Sequence, residues 1–252
     1  GVNHFTWLTE ARCQGEDLLA LLHKHIAKPA NRRFYTKRQC MKELPSVFAS
    51  KSRVKFELTR RFGPMAAAGD RHLAEFVPWY LVSEADLHRY GVILTPSSYR
   101  LGTWRPPQNA PAVSMQAQAA QDSKLIYSGE EGVAQMLALL GVTPLDTNVN
   151  LPNVGQAPDL PHGVVVETNA QFRKNSLSPV VPAPLPVGAL SLVRRAVDVQ
   201  QMTLQAANER DVELAFQALL LDPLCRISVD DAWAMFVELL HANQEMLPGW
   251  KI

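Results

Sequence analysis

The order of apolar patterns along the chain is the feature that most limits its fold. Strand-like runs lie at residues 1–8, 145–152 and 163–168, whereas helical periodicity fills the last third of the chain. A doubly wound parallel sheet would need strands and helices in regular alternation. The sequence therefore predicts an α+β fold.

Helices are predicted from apolar spacing and from residues that start or stop a helix. Ser228 followed by Asp231 marks the start of the final helix, whose apolar face includes Trp233 and Phe236. The predicted helical ranges are 16–25, 45–62, a short helix after 70, a helix that starts near a Ser128–Glu131 capping box, 190–208, 212–221 and 229–244. Residues 96–124 are rich in Pro, Gln, Ala and Ser, which predicts a flexible loop.

Composition excludes several classes of protein. With 47% hydrophobic and 19% charged residues, the 252-residue chain is expected to form a packed core. No apolar run approaches the roughly 20 residues of a membrane span. No secretory leader is recognisable, so a cytoplasmic protein without a membrane partner is expected. Cys13, Cys40 and Cys225 are too few and too dispersed for a disulfide framework or a zinc site.

Residues 24–61 form a basic segment. They include twelve Lys or Arg, opposed only by Glu43 and Glu57, although the whole chain has a net charge of +1. The segment could be a solvated helix face or could meet an anionic sugar. Aromatic neighbours such as Phe34 and Tyr35 also permit nucleic-acid binding, but no recognition motif accompanies them, so no nucleic-acid partner is expected.

Two residues are candidates for chemistry. His4 lies in a short Gly-x-Asn-His sequence that could aim an imidazole at a divalent metal, but a lone histidine is also often structural. Asp70 follows four small residues, which would let a ligand approach closely. It could be an acid or base, or it could be an N-cap for a helix starting at Arg71.

Four segments, in order, resemble the NAD-dependent glycosidases of glycoside hydrolase family 4. The first, Gly1-Val2-Asn3-His4-x-x-Trp7, is similar to the metal-site signature of that family. The others are Arg61-Phe62-Gly63-Pro64-Met65-x-x-x-Gly69-Asp70, the Val149–Asn153 and Gly163–Glu167 strands, and the helix pair that ends in Leu221-Asp222-Pro223. In the family the first motif follows a dinucleotide-binding half, so we expect this chain to be the C-terminal half only.

The resemblance implies a fold and a reaction. The fold is a substrate domain of the lactate and malate dehydrogenase type across residues 1–252, without the N-terminal Rossmann domain. The reaction is hydrolysis of α-glycosides through NAD-dependent oxidation at carbon 3, elimination and addition of water, with Mn²⁺ or another divalent metal. No G-x-G-x-x-G motif follows a predicted strand, so this fragment is expected to contain no cofactor-binding residues for NAD and to be inactive alone.

The resemblance also assigns roles to individual residues. His4 would be a metal ligand, and Asp70 would be the base near carbon 2 or the acid. The residues that would contact the sugar are Asn3, Arg71, His72 and Asn153, and Asn3 could instead orient the groups around the metal. The second metal ligand of the family is a cysteine in the other half, and no cysteine of this chain lies in a matching context.

Residues 69–80 most resemble the uronic-acid branch of the family, which implies an α-galacturonidase or α-glucuronidase. An α-glucosidase or α-galactosidase of the same family is the nearest rival. The substrate domain of a 2-hydroxyacid dehydrogenase and a non-enzymatic binding module are also compatible with the sequence. The full-length protein is expected to form a homodimer or homotetramer.

Overall fold

A computed structural model of the chain describes residues 1–2, 4–32, 34–43, 50–95, 97, 101 and 129–251, and it confirms the α+β fold. The strands are β1 (Trp7–Leu8), β2 (Arg12–Cys13), β3 (Glu16–Asp17), β4 (Met65–Ala66), β5 (Leu145–Pro152), β6 (Val165–Arg173) and β7 (Ser176–Pro179). The helices are α1 (Leu18–Ala27), α2 (Lys37–Glu43), α3 (Arg53–Phe62), α4 (Asp70–Phe76), α5 (Glu84–Tyr90), α6 (Gly132–Leu139), α7 (Val187–Glu209), α8 (Val212–Leu221) and α9 (Val229–Ala242).

Every strand pairing among the described residues is antiparallel. β1 pairs with β4, β2 pairs with β3, and β5, β6 and β7 form a three-stranded sheet with β6 at its centre. Helix α6 packs on this sheet through Ala138, which meets the buried Ala170 and Phe172.

The start of the first helix corrects the sequence prediction. Residues 16 and 17 belong to β3, and the turn before them places Gln14 (φ 50°) and Gly15 (φ 84°) in the left-handed region. Two consecutive residues with positive φ match the twist of a tight hairpin, so the chain turns back here. Asp17 then caps α1 by accepting hydrogen bonds from the amides of Leu19 and Ala20.

The second helical prediction, 45–62, was too long at its start. Helix α3 begins at Arg53, and Ser52, just before it, has φ 58°. Residues 44–49 lie outside the described part of the chain, and the short helix α2 was not predicted. Ser128 of the predicted capping box and most of the predicted loop at 96–124 also lie outside it.

The middle strands and the last three helices confirm the prediction closely. β5 has the predicted bounds, β6 extends further than expected to Arg173, and β7 was not predicted. Ser228 caps α9 as predicted, because its hydroxyl accepts a hydrogen bond from the Asp231 amide. Among the described residues, no helix is both long and apolar enough to cross a membrane.

The main core lies between the N-terminal segment, α3, α4, β6 and α7. Phe5, Leu58, Leu73, Val166 and Val193 are completely buried in it. A second cluster joins α8 to α9, and its buried members are Phe216, Ala232, Phe236 and Leu240. Helices α3 and α4, which carry most of the predicted site and its supports, are therefore anchored in the main core.

Truncation of Leu58 should destabilise this core. Leu58 in α3 is fully buried, whereas Leu204 in α7 is 56% exposed, so the same substitution removes buried area at only one position. We expect Leu58→Ala to lower the free energy of unfolding by about 2–5 kcal/mol. Leu204→Ala, the matched control, should change it by about 0.5 kcal/mol or less. Urea unfolding followed by circular dichroism measures both, and equal effects would show that α3 does not pack as described.

Candidate functional site

The N-terminal segment, described at residues 1–2 and 4–8, is held between the segment at 65–70 and strand β6. Trp7 pairs with Ala66, and the Ala67 amide donates a hydrogen bond of 2.8 Å to the Thr6 carbonyl. On the other side, the Glu167 amide donates a hydrogen bond of 2.8 Å to the Gly1 carbonyl. The Thr6 hydroxyl also donates to Oε2 of Glu167 at 3.0 Å. These bonds fix the position of the N-terminal segment that carries His4.

Gly1 is required by close packing. A Cβ atom at this position would lie 2.3 Å from Cα of Thr6 and 2.8 Å from the Phe5 carbonyl oxygen. Both neighbours are backbone atoms, which cannot rotate away as a side chain can. The glycine of the motif thus lets the chain fold back on itself beside His4.

His4 is presented at the tip of this turn. The Phe5 amide donates a hydrogen bond of 2.7 Å to the Val2 carbonyl, and both Val2 and Phe5 are buried. His4 itself is exposed and has φ 56°. A non-glycine residue in the left-handed region is uncommon, and such conformations cluster at functional sites. The turn therefore holds the imidazole outward between two buried anchors. Asn3, the other predicted residue of the turn, lies outside the described residues.

His72 brings a second imidazole to His4. The two rings stack with their centroids 4.5 Å apart and their planes at 16°. Nδ1 of His72 also lies 3.3 Å from Oε2 of Glu75, one turn along α4. Within the described ranges, no group of three or more His, Cys, Asp or Glu is arranged to hold a metal ion. The described residues can therefore supply only part of a metal's coordination shell.

Asp70 is the first residue of α4 and is 1% exposed. Its Oδ2 accepts hydrogen bonds of 2.8 Å from the Ser50 hydroxyl and from the Arg53 amide, and its Oδ1 accepts one of 2.9 Å from the Lys55 amide. The predicted N-cap role for its own helix is wrong, because Gly69 occupies that position. The carboxylate instead caps the N-terminus of α3, where backbone amides lack partners within the helix.

Burial raises the pKa of Asp70 above the usual range for an aspartate. The hydrogen bonds from Lys55, Ser50 and Arg53 act in the opposite direction but do not cancel the effect of burial. A carboxyl group that holds its proton more tightly than usual is better matched to proton transfer near neutral pH.

Arg71 and Asn153 differ in how far their side chains are buried and in how many hydrogen bonds they form. Arg71 is half-buried and donates a hydrogen bond to the Thr95 hydroxyl. Asn153 is 2% exposed, its amide nitrogen donates to the carbonyls of Ala157, Leu160 and Pro161, and its oxygen accepts from two backbone amides. Asn153 thus organises the loop after β5, and this geometry gives no support to its predicted sugar contact.

The partners of Asp70 were not predicted from the sequence. Ser50, Arg53 and Lys55 hold the carboxylate from 15 to 20 residues away, two of them through backbone amides. A backbone amide has no residue-type signature, and Ser52, a residue type common at helix N-caps, precedes α3 but makes no side-chain cap hydrogen bond.

The effect of Asp70 on stability should depend on pH with a defined sign. Folding raises the pKa of the Asp70 carboxyl group. Its contribution to the free energy of unfolding is therefore complete below the pKa that Asp70 has in the unfolded chain, and it is lost as the pH rises through the pKa of Asp70 in the folded protein. We expect the difference in unfolding free energy between the wild type and Asp70→Asn to fall over that range. Urea unfolding at a series of pH values measures it. A difference that grows with pH would mean that the three donors outweigh burial.

Known proteins that are similar to this chain identify its family. Residues 1–225 match the model of the family described as "Family 4 glycosyl hydrolase C-terminal domain". An alpha-galacturonidase of Thermoanaerobacterium saccharolyticum is 42% identical over 255 residues, which cover 100% of this chain and 54% of the relative. The chain spans about half the length of the curated relatives it matches.

Solved structures show the same fold. The lplD protein of Bacillus subtilis superimposes with a TM-score of 0.76 and 36% identity, over 95% of this chain and 54% of that protein. A 6-phospho-alpha-glucosidase from gut microorganisms, solved with NAD and Mn²⁺, has a TM-score of 0.65 at 17% identity, over 100% of this chain and 55% of that one. At that identity the second likeness concerns the fold alone. The chain belongs to the family 4 glycosyl hydrolases and corresponds to their C-terminal domain.

Proposed function

We propose that this chain is the substrate-binding and metal-binding half of an enzyme that hydrolyses α-galacturonides. The observation that carries the proposal is the stacking of two imidazoles, those of His4 and His72. His72 lies in α4, the helix that begins with the buried Asp70. The 42% identity with an alpha-galacturonidase along the whole chain supports the choice of sugar. We include α-glucuronides as the neighbouring substrate class.

His4 fits the role of one metal ligand. Its imidazole is exposed and held by a rigid turn, and imidazole is a common ligand for divalent transition metals. The described residues do not complete a site, so further ligands would come from the other half of the protein. A bound Mn²⁺ or other divalent ion would supply Lewis-acid polarisation of sugar oxygens. The 6-phospho-alpha-glucosidase solved with Mn²⁺ is consistent with this choice of metal.

NAD would be bound mainly by the N-terminal half. The sequence of this chain lacks the glycine-rich motif that cradles a dinucleotide after a strand. The proposal therefore requires the whole protein for turnover, and this half alone would be inactive. NAD would supply reversible hydride acceptance at carbon 3 of the sugar, followed by elimination and addition of water.

Asp70 is proposed as the base near carbon 2, and its alternative role is that of the acid. Its raised pKa favours proton transfer. Among the described donors, only the Lys55 amide bonds to Oδ1, so that oxygen retains acceptor capacity. Burial supports a different role, in which Asp70 only positions α3. If Asp70 is the base, its replacement should abolish activity in a protein that stays folded. If Asp70 only positions α3, its replacement should reduce activity only as far as it unfolds the protein.

Sugar contacts are proposed for Asn3, Arg71 and His72. Arg71 and His72 follow Asp70 in the first turn of α4, and His72 is exposed beside His4. A guanidinium group can pair with the carboxylate of a uronic sugar through two parallel hydrogen bonds. The uronide would thus be distinguished from a neutral galactoside or glucoside by its charge.

A dehydrogenase and a non-enzymatic binding module have less support than a glycosidase. Family membership argues against both, and the side-chain contact described for His4 is with a second imidazole, whereas a dehydrogenase histidine needs an aspartate. An α-galactosidase or α-glucosidase remains the second candidate within the family. A single domain over 1–252 of the lactate and malate dehydrogenase type, a cytoplasmic location and a homodimer or homotetramer are further proposals.

Replacement of His4 should abolish metal-dependent hydrolysis. In the full-length protein supplied with NAD, Mn²⁺ and a reductant, we expect His4→Ala to reduce the cleavage of an aryl α-galacturonide by about 100-fold or more. His241→Ala, an exposed histidine in α9, is the matched control and should leave the rate unchanged. Activity that His4→Ala retains would refute the ligand assignment. Failure of the wild type to cleave aryl α-galacturonide, α-glucuronide, α-galactoside and α-glucoside alike would refute the glycosidase proposal.

A pair of substitutions separates catalysis by Asp70 from helix capping. Asp70→Asn removes the titrating group, whereas Ser50→Ala removes one of its hydrogen-bond donors and keeps the carboxylate. If Asp70 transfers a proton, kcat should fall by about 10²–10⁴-fold in Asp70→Asn and change much less in Ser50→Ala. Thermal unfolding of both variants measures their stability. Loss of stability in both, with full activity per folded molecule, would show that Asp70 only caps α3.

A further inference from the structure

A second concave site lies between α1, the turn at 29–32, α3 and α5. Its cavity has a volume of about 240 Å³. Four arginines and one glutamate supply its charged groups among the residues described, and these are Arg53, Glu57, Arg60, Arg61 and Arg89. None of His4, Asp70 or His72 lines it. We call this site the arginine pocket.

The single carboxylate of the arginine pocket is already engaged. Glu57 accepts hydrogen bonds of 2.6 and 3.1 Å from Arg60 and one of 2.7 Å from Arg61. Burial alone would raise the pKa of Glu57, but these hydrogen bonds and charges hold it below its usual range. Glu57 is therefore ionised at neutral pH and offsets one of the four guanidinium charges, which leaves an excess of positive charge.

Arg53 and Arg89 carry two of the three excess positive charges, and the third belongs to Arg60 and Arg61, which share Glu57. Among the side chains that the structure describes, neither forms an ion pair with a carboxylate. Arg89 lies 4.2 Å above the Phe34 ring, which holds its guanidinium in place without neutralising it. Arg53 donates from one terminal nitrogen to the Asn31 carbonyl at 2.6 Å. Its Nε is buried without an acceptor among the described residues, an arrangement that is unfavourable unless another group supplies one.

We infer that the arginine pocket binds a small oxyanion that carries two or more negative charges, either a polycarboxylate or a phosphate. Guanidinium groups match carboxylate and phosphate oxygens geometrically, and the aromatic side chains of Phe34, Phe56 and Tyr90 form the rest of the wall. The volume suits a molecule about the size of citrate. Occupation would neutralise the unpaired guanidinium groups of Arg53 and Arg89.

Arg53 connects the pocket to the candidate active site. Its backbone amide binds Asp70 at 2.8 Å, while its side chain lies in the wall of the pocket. An anion that restrains the Arg53 side chain would therefore also restrain the first turn of α3, on which the Asp70 carboxylate rests.

Calorimetric titration of the chain at fixed ionic strength tests the inference. Inorganic phosphate and citrate are the two probes, and at least one should bind saturably with one site per chain. Arg89→Gln, which changes an exposed side chain, should weaken binding about tenfold through the loss of one charged hydrogen-bonding group. The double variant Arg53→Gln with Arg89→Gln should weaken it further.

The matched control is the double variant Arg226→Gln with Lys251→Gln. It also removes two positive charges, but at exposed residues outside the pocket. It should bind like the wild type. Binding of phosphate alone or of citrate alone identifies the anion class and supports the site. The inference fails if the wild type binds neither probe saturably, or if the control pair weakens binding as much as the substitutions in the pocket.

Discussion

The carboxylate of Asp70 at the N-terminus of α3 is the interaction on which the site depends. A buried carboxylate is tolerated only when hydrogen-bond donors surround it, and an uncapped helix end needs an acceptor, so each group satisfies the other. This contact joins α3 to α4. Helix α4 carries His72 to His4, and α3 carries Arg53 to the arginine pocket. Both proposed binding sites therefore depend on one buried contact.

A second constraint places the opposite side of the site. The N-terminal segment is hydrogen-bonded to Ala67 on one side and to Glu167 on the other, and Gly1 permits the close approach that this arrangement needs. His4 consequently lies at a fixed turn between two buried anchors. Since α4 begins shortly after Ala67, the pairing of β1 with β4 brings its first turn towards His4. The site arises where these two constraints meet.

Local signals predicted much of the fold and part of the site. β5 and the helices α7, α8 and α9 follow the apolar period, and Ser228 caps α9 from its own sequence neighbourhood. The family motifs selected His4, Asp70 and His72, and the structure brings the two histidines into contact. The choice of Asn153 from the motifs stays a prediction, and in the structure its side chain is hydrogen-bonded within its own loop.

The sequence by itself determined the elements whose signals are local: the alternation of β5, the helical periodicity of the last third, and the short motifs that indicate the family. Only the tertiary structure decided which group caps α3, since the acceptor lies 17 residues beyond Arg53. It also decided that Arg89 of α5 lines the same pocket as Glu57 and the three arginines of α3. The physical reason is that periodicity and capping act within a few residues, whereas the burial of a charge depends on every element that packs around it.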